Sequence, residues 1–208
     1  MVEGKNFTYE VIIVDDGSTD GTNQAVQKYQ QANPRMPIIL RRNPRNRGLG
    51  YNYLHSAKQA RGRYYMLVNG DNDIPARDLA LILEGRDKAD LCIPYLGRDE
   101  RPLFRQAVSK IFTFVVNLIA GHKLRYYNGP VLHLRENVVR FAPNTRGYAY
   151  QAELLCRALR RGCTYIEIPF HSKMKRRVRT RTSAFRLSNI FSVCRSLLRV
   201  FRDRVSNP

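Results

Sequence analysis

The fold is decided by the stretch Tyr9-Glu10-Val11-Ile12-Ile13-Val14, which Asp15-Asp16-Gly17-Ser18 follow directly. The first segment is short, rich in β-branched residues and apolar on both faces, which is typical of a strand buried in a parallel sheet. In open parallel sheets, ligands bind beyond the carboxyl ends of the strands. The stretch therefore predicts a buried strand that ends, with two carboxylates, at a binding crevice.

The segments that follow alternate between helix and strand patterns. They predict helices over about 18–33, 54–61 and 76–84 and strands over 38–40, 64–68 and 90–94. Further on, the pattern predicts helices over 104–121 and 151–161, a strand over 165–168 and a last basic helix. This order predicts one α/β domain with a mostly parallel sheet flanked by helices, and 208 residues suit a single domain.

The charge balance limits the classes of partner. Lys and Arg number 36 against 17 Asp and Glu, which gives a net charge of +19 and a surface that attracts anions. Nucleic acid, anionic lipid and phosphorylated substrates all fit that charge. The cations crowd 35–47 and 173–204, whereas acidic residues concentrate at 15–20 and 71–78. A polyanion-binding surface and an acidic, metal-binding centre can therefore coexist.

The chain shows neither a disulfide pattern nor a membrane-spanning pattern. Its four cysteines lack CxxC spacing, and we expect reduced, packed thiols. The longest apolar stretch, 111–120, is shorter than the roughly 20 residues that cross a bilayer, and no signal peptide opens the chain. We therefore expect a cytosolic protein or a peripheral protein on the cytoplasmic face of a membrane, with no transmembrane segment.

Two of the predicted strands end in acidic turns, Asp15-Asp16 and Asp71-Asn72-Asp73. A carboxylate beside a Gly-Ser turn can accept a hydrogen bond from a base or a ribose hydroxyl, and two carboxylates that flank one residue can hold a divalent cation on a diphosphate. Each turn alone is also explained by an Asp that caps a turn or a helix. Their occurrence at successive strand ends favours a joint binding crevice.

Three motifs in order resemble the family-2 glycosyltransferases with the GT-A fold: 14–22 around Asp15-Asp16-Gly17-Ser18, 46–52 around Arg47-Gly48, and Asp71-Asn72-Asp73. More loosely, Asn128-Gly129, 151–155 and 167–169 are similar to the branch that glycosylates polyprenyl phosphates, of the dolichyl-phosphate mannose synthase type. The resemblance covers about residues 9–183. It implies a glycosyltransferase domain over 1–183, followed by a basic amphipathic helix over 184–208.

The resemblance implies a set of donor-binding residues. Asp15 and Asp16 would face the base and ribose of a nucleotide-sugar donor, and Arg47 and Gly48 would border the nucleotide. These four residues belong to the two motifs that precede the acidic Asp-x-Asp turn.

The same resemblance implies a metal site and a basic acceptor loop. Mg²⁺ or Mn²⁺ would bind the donor diphosphate through Asp71 and Asp73, and Asp73 is on that basis also a catalytic residue. The family's Arg-x-x-Gly-x-Ser loop is nearest in spacing to Arg177, another catalytic candidate, although its Gly is absent here. Neighbouring cations are equally able candidates for binding the acceptor: Lys175, Arg176 and Arg179.

Arg125 stands where many members of the family carry an Asp, four residues before Gly129. A hydroxyl acceptor needs a base to take its proton, whereas a phosphate acceptor is already largely anionic at neutral pH. Arg125 and the cations of 173–181 therefore favour a polyprenyl phosphate as acceptor. Glu153 is a candidate catalytic base, and an ion-paired helix residue is the alternative interpretation.

The family's first strand, which is central in its sheet, has no counterpart before Tyr9. Without it, its two neighbours keep unpaired backbone groups, each costing about 1–3 kcal/mol if buried. We expect one of three situations: the chain is N-terminally incomplete, another segment fills the gap, or the protein is not an active enzyme.

The last segment has an apolar face beside Arg195, Arg199 and Arg202, formed by Leu187, Ile190, Phe191, Cys194, Leu197, Leu198 and Phe201. This pattern indicates either an interfacial helix on an anionic membrane surface or a helix packed on the domain. Together the motifs predict metal-dependent, inverting sugar transfer from a nucleoside-diphosphate donor to a polyprenyl phosphate at the membrane, with no nucleic acid bound. The alternatives are a non-catalytic homologue that binds a membrane or a partner, and a basic nucleic-acid-binding protein.

Overall fold

The computed structural model describes residues 7–70, 74–143, 147, 149–171 and 187–206. Its strands are β1 (Val11–Asp15), β2 (Ile38–Arg42), β3 (Tyr64–Met66), β4 (Leu91–Arg98), β5 (Leu132–Leu134) and β6 (Tyr165–His171). Its helices are α1 (Thr22–Ala32), α2 (Leu49–Gln59), α3 (Ala76–Glu84), α4 (Leu103–Ala120), α5 (Arg135–Arg140), α6 (Tyr150–Arg160) and α7 (Leu187–Ser206). The predicted alternation is confirmed, and β5 and α5 are the elements that the sequence pattern does not predict.

The described strands form two sheets. β1 and β2 pair in parallel, from Val11 opposite Ile38 to Asp15 opposite Arg42. The second sheet has the order β3-β5-β4-β6, in which β5 runs antiparallel to both of its neighbours and β4 runs parallel to β6. The α/β class is therefore confirmed, with a mixed sheet where the pattern predicts a mostly parallel one. The difference comes from β5, which is too short to show an alternating pattern.

The two sheets share no strand pairing among the described residues. Among the described strand pairings, β1 is bonded only to β2, and β3 only to β5. A side chain links the starts of β1 and β3 instead, since the Glu10 Oε1 accepts hydrogen bonds from the amides of Arg61 at 2.5 Å and Gly62 at 3.1 Å. β1 and β3 thus each keep one edge without a strand partner within the described residues.

The hydrophobic core lies among the later elements. Helix α6 is buried along most of its length, with Leu154 and Leu155 fully buried. Its main cluster brings together side chains of β4, α4, α6 and α7, including Ile93, Val116 and Val200. Within residues 7–49, by contrast, Asp15 alone is buried. The first two strands and α1 therefore lie against the domain with little apolar burial.

α1 begins later, and α2 begins earlier, than the sequence pattern predicts. α1 begins at Thr22, because the Ser18 amide donates to Asp15 and Asp20 accepts from the amide and hydroxyl of Thr22. α2 begins at Leu49, five residues before the predicted start at Leu54. Both shifts occur at the carboxyl ends of β1 and β2, where the candidate site lies.

Helix α4 qualifies the expectation of no membrane-spanning segment. The apolar run of 111–120 extends within the helix back to Leu103, and α4 is the one helix of the described residues that is long and apolar enough to cross a membrane by length and composition. In this fold it lies against α7 and buries Val116 and Ala120 in the core. α4 is therefore anchored on the domain by one face.

Candidate functional site

Asp15 is the last residue of β1, and only 2% of its surface is exposed. Its Oδ1 accepts a hydrogen bond from the Ser18 amide at 2.8 Å. The side chain and amide of Ser18 hold the pKa of Asp15 below its usual value despite its burial, so the carboxylate is ionised at neutral pH. No donor of the described residues hydrogen-bonds its buried Oδ2, and the Arg42 Nε lies 3.7 Å from that atom. Asp15 therefore keeps one carboxylate oxygen that is ion-paired with Arg42 but accepts no hydrogen bond from the described residues.

Asp16 ties two loops together. Its Oδ1 accepts hydrogen bonds from the Arg47 amide at 2.9 Å and from the Asn43 side chain at 2.7 Å, and its Oδ2 accepts from the Gly48 amide at 2.9 Å. Burial raises the pKa of Asp16, but these hydrogen bonds outweigh it and the pKa lies below its usual value. Because both oxygens are used within the protein, this arrangement favours a positioning role over the direct contact with base or ribose that the resemblance implies.

Two glycines make the close approach of these loops possible. Gly17 has a φ of +80°, and a Cβ at this position would lie 2.9 Å from the backbone carbonyl carbon of Arg45. Gly48 precedes α2 with φ 87° and ψ 155°, a backbone conformation that is essentially restricted to glycine. The turn after β1 therefore packs directly on the backbone of the loop that leads into α2.

Asn43 and Asn52 complete the network, although the motifs alone assign neither a role. The Asn43 side-chain amide donates both to Asp16 and to the Asn52 Oδ1, each at 2.7 Å. Asn43 follows β2 directly, and β2 is parallel to β1. Its position beside the end of β1 was therefore a signal in the sequence that it belongs to the site. A cavity of about 310 Å³ opens beside this network and is lined by Val14, Leu40, Arg41, Arg42, Asn43, Asn52, His55 and Ser56.

Arg47 presents a flat cationic surface at the same loop. Its guanidinium lies 3.9 Å from the centroid of the Tyr51 ring. Tyr51 in turn stacks on His55, with ring centroids 5.4 Å apart and planes 11° apart. Cations over aromatic rings are held by the ring quadrupole. The first turns of α2 therefore carry a stack of three planar groups that begins beside the Asp16 network.

Six of the predicted site residues lie outside the described part of the chain: Asp71, Asp73, Lys175, Arg176, Arg177 and Arg179. The described residue after the acidic turn is Ile74, which is buried and packs with Leu79 and Phe170. Within the described ranges, no group of three or more His, Cys, Asp or Glu side chains could hold a metal ion. The metal site thus stays a prediction that depends on Asp71 and Asp73.

Arg125 is held by two neighbouring strands. Its amide donates to the Glu167 Oε1 at 2.8 Å, and its Nε lies 3.6 Å from the Glu167 Oε2. Its guanidinium also lies 4.4 Å from the centroid of the Tyr95 ring. The side chain of Arg125 remains 61% exposed. The structure thus fixes this cation at the surface of β4 and β6 while leaving it accessible to an anion.

Glu153 lies in the core of the domain. It is fully buried in α6 and forms an ion pair with Arg157 one turn later, at 3.0 Å. Arg157 also pairs with Asp203 of α7 at 3.2 Å. This network links α6 to α7, and it favours the ion-paired interpretation of Glu153 over the catalytic base.

His171 is a residue of this region to which the sequence assigns no chemistry. It ends β6, and both its amide and its ring Nδ1 lie within hydrogen-bond distance of the Asp78 Oδ2, at 2.6 and 3.0 Å. Asp78 is buried at the start of α3, whereas the His171 side chain is 58% exposed. The buried carboxylate therefore fixes the orientation of an exposed imidazole. His171 ends a strand that is parallel to β4, and its position at the carboxyl end of that strand was a signal that the sequence offered.

The sequence profile described as Glycosyl transferase family 2 matches residues 3–141, which is more than half of the chain. The chain belongs to glycosyl transferase family 2. The whole Asp15–Asp16 network and the acidic turn at 71–73 lie inside the matched residues. The predicted family is therefore confirmed.

Two curated relatives illustrate the family. The chain is 25% identical, over 95% of its length, to "Dolichol-phosphate mannosyltransferase" of Pyrococcus furiosus, of which it covers 56%. It is 36% identical, over 72 residues and 35% of its length, to "Dolichyl-phosphate beta-glucosyltransferase" of Dictyostelium discoideum, of which it covers 22%. The chain thus spans about half or less of the length of these relatives.

Solved structures of glycosyltransferases share the fold. The mannosyltransferase PcManGT from Pyrobaculum calidifontis, in complex with GDP-Man and Mn²⁺, superposes with a TM-score of 0.63 at 19% identity, over 96% of this chain and 55% of that one. Glucosyl-3-phosphoglycerate synthase from Mycobacterium tuberculosis, with Mn²⁺ and UDP among its ligands, gives 0.60 at 16% identity, over 96% and 70%. These likenesses confirm the predicted GT-A fold.

Proposed function

We propose that the chain binds a nucleoside-diphosphate sugar at the carboxyl ends of β1 and β2 and transfers the sugar to a polyprenyl phosphate. The observation that carries this proposal is the Asp16 network, in which one carboxylate holds the amides of Arg47 and Gly48. It brings two of the family's motifs to one edge of the sheet. A solved structure with the same fold was obtained with GDP-Man and Mn²⁺, which supports this class of donor.

Asp15 is the group that recognises the base or ribose in this proposal. Its ionised Oδ2 is an acceptor without a hydrogen-bond donor among the described residues, and charged acceptors form the stronger hydrogen bonds. The oxygen is also shielded from solvent, so a ligand reaches it only after a neighbouring side chain moves. Arg42, whose side chain is 62% exposed, is the neighbour with room to do so. The Arg47 guanidinium then borders the nucleotide.

Asp71 and Asp73 would hold the divalent cation. Carboxylate oxygens are hard ligands of the kind that Mg²⁺ and Mn²⁺ prefer, and the donor set suits either ion. When bound, the cation supplies Lewis-acid stabilisation of the negative charge that develops on the diphosphate leaving group. The residue that follows Asp73 in the sequence, Ile74, is buried in the domain.

The acceptor side is cationic. Arg125, accessible and held by Glu167, and the cluster of Lys175, Arg176, Arg177 and Arg179 would bind the phosphate of the lipid. A phosphate oxygen attacks the anomeric carbon without losing a proton first, which agrees with a Glu153 already paired with Arg157. Attack from the side opposite the diphosphate inverts the anomeric configuration. Curated relatives named for dolichol or dolichyl phosphate support this acceptor class. The location that we propose is peripheral, on the cytoplasmic face of a membrane.

The donor site is tested by isothermal titration of the purified chain with UDP and with GDP, each with and without Mn²⁺. We expect one nucleotide to bind in a Mn²⁺-dependent manner. Asp15→Asn should weaken that binding by about tenfold or more, because it removes a charged acceptor. The matched control is Asp20→Asn in the same loop, since Asp20 accepts hydrogen bonds from the amide and hydroxyl of Thr22 within its own turn. Equal losses of nucleotide affinity in both variants would show that Asp15 does not bind the donor.

The metal and acceptor roles need separate measurements. Asp71→Asn and Asp73→Asn should abolish the Mn²⁺ dependence of nucleotide binding and the transfer of labelled sugar to polyprenyl phosphate, without loss of the circular dichroism of the folded chain. Alanine at Arg176, Arg177 and Arg179 together should reduce lipid glycosylation more than hydrolysis of the donor. A Mn²⁺ dependence that survives in both Asp variants would contradict the metal site.

A further inference from the structure

An exposed apolar stripe runs along α4. It consists of residues spaced three or four apart, which therefore share one helix face: Phe104, Ala107, Ile111, Phe114 and Leu118. Ile111, Phe114 and Leu118 are 62%, 67% and 67% exposed. Single exposed apolar side chains are ordinary on protein surfaces, whereas a contiguous row over four turns marks an interaction surface.

A second stripe lies on the neighbouring α7. Its members, again three or four residues apart, are Cys194, Leu198, Phe201 and Val205. Leu198, Phe201 and Val205 are 68%, 52% and 62% exposed. The predicted apolar face of this helix is thus divided, because Leu197 packs on the core while Leu198 and Phe201 face outwards. The side chains of Leu187, Ile190 and Phe191 lie outside the described part of the chain.

The two helices are fixed side by side. Val116 of α4 and Val200 of α7 are buried in the same core cluster. The Arg204 Nη1 donates hydrogen bonds to the carbonyl oxygens of Leu118 and Ile119, at 2.9 and 3.1 Å, where α4 ends. These contacts bring the carboxyl end of the α4 stripe beside the last turn of the α7 stripe, and they hold α4 along the surface of the domain.

The charges beside the stripes are almost all positive. α4 contains Arg105 and Lys110 and no acidic residue. α7 contains four arginines and one acidic residue, Asp203, which is paired with Arg157. Apolar stripes flanked by cations match an anionic bilayer, where apolar side chains enter the acyl boundary and cations meet the headgroups.

We propose that the α4 and α7 stripes form one surface that docks on an anionic lipid bilayer without crossing it, with α4 as a direct lipid contact. A crossing α4 would have to leave the core that holds Val116 and the Arg204 link at its end. Only the purpose of this surface, delivery of the site to a lipid phosphate, rests on the proposed function. The surface and the sugar transfer can therefore fail independently.

Cys194 provides a probe within the α7 stripe. It is exposed, whereas Cys92 and Cys156 are buried and Cys163 is half-buried, so a Cys163→Ser chain can be labelled at Cys194 with an environment-sensitive fluorophore. Vesicles of equal parts phosphatidylcholine and phosphatidylglycerol should shift its emission to the blue. Vesicles of phosphatidylcholine alone should shift it much less, because the headgroup attraction is then absent.

The part played by α4 is measured by co-sedimentation of unlabelled chains with the same anionic vesicles. Phe114→Ser with Leu118→Ser, and separately Leu198→Ser with Phe201→Ser, should each lower the partition coefficient by about 30-fold or more. The control pair, Leu81→Ser with Val139→Ser, removes apolar side chains that are 40% and 37% exposed on other helices and should leave it unchanged. Nucleotide binding should stay the same in all three variants.

Several other outcomes of these measurements overturn the docking proposal. A loss of vesicle binding confined to the α7 variant would show that α4 does not contact the lipid. Equal vesicle binding by all three variants would show that the stripes do not bind the bilayer. A dimer in light scattering that the α4 variant converts to a monomer assigns the stripes to a second copy of the chain. The serine variants could also leave vesicle binding unchanged while the chain binds nucleic acid with submicromolar affinity at physiological salt. That result would indicate that the cations bind a polynucleotide. Sugar transfer that fails while α4-dependent vesicle binding persists contradicts the proposed function alone.

Discussion

The β1–α1–β2 unit and the region from β3 to β6 are held in place by different forces. In the later region, apolar side chains such as Ile93, Leu154 and Leu155 are fully buried. In the first unit, α1 has no buried residue, and no apolar side chain of β1 or β2 is buried. What fixes its carboxyl edge is the Asp16 carboxylate, which accepts two backbone amides and a side-chain amide.

This difference separates the residues that stabilise the domain from those that fix the geometry of the site. Burial of apolar surface is non-directional and supplies most of the stability of a fold. Hydrogen bonds contribute less net free energy but fix distances and angles. The later region therefore stabilises the domain, whereas the first unit, which carries two of the family's motifs, depends on a few polar contacts and on glycines that permit close approach.

The largest expected difference in stability is between two isoleucine-to-alanine substitutions, one in each region. Ile93→Ala in β4 should lower the free energy of unfolding by about 3–4 kcal/mol, since Ile93 is fully buried and leaves a cavity. Ile13→Ala in β1 should cost only about 1 kcal/mol, because Ile13 is half-buried. Urea unfolding followed by circular dichroism measures both, and hydrogen exchange locates the effect of Ile13. Equal costs would contradict the contrast between the regions.

A smaller effect is expected from the close contact after β1. Gly17→Ala should destabilise the chain by about 2–3 kcal/mol, because it adds a clash with the Arg45 backbone to the strain of a positive φ. Gly21→Ala is the matched control, with a φ of +82° and no atom within 4 Å of the added Cβ, and should cost about 1 kcal/mol. Faster amide exchange at 43–48 in the Gly17 variant alone would locate the defect in the loop. Identical behaviour of the two variants would rule out the packing contact.

The smallest effect is expected from the Asp16 carboxylate and depends on pH. Its pKa is lower in the folded chain than the ordinary value, so its stabilisation is complete above about pH 4 and is lost as the pH falls through the folded-state pKa. Asp16→Asn should cost about 1 kcal/mol at pH 7, allowing for solvent screening, and progressively less below pH 4. The difference in unfolding free energy between variant and wild type at the two pH values measures this. Asp87→Asn, at an exposed carboxylate that pairs with Arg86, is the surface control. A cost for Asp16→Asn that does not change with pH would contradict the ionised network.

Much of the fold was readable because local patterns decide it. The run Val11–Val14 and the helical periodicities of α3, α4 and α6 predicted their elements within a few residues. β5 was missed, since three residues carry too little periodicity to compete with other patterns. The start of α2 was missed by five residues, since it depends on Gly48 and on an acceptor 32 residues earlier.

The sequence by itself determined the family, the α/β order and the position of Asp15 and Asp16 at a strand end, because these follow from residue type and spacing along the chain. Only the tertiary structure decided that Asp16 holds the Arg47–Gly48 loop, that Glu153 is paired with Arg157, and that Leu197 and Leu198 face opposite environments. The partners of these groups come from other elements or depend on which helix face meets the core. Hydrogen bonds and burial act between atoms that only folding brings together, so neither composition nor local periodicity specifies them.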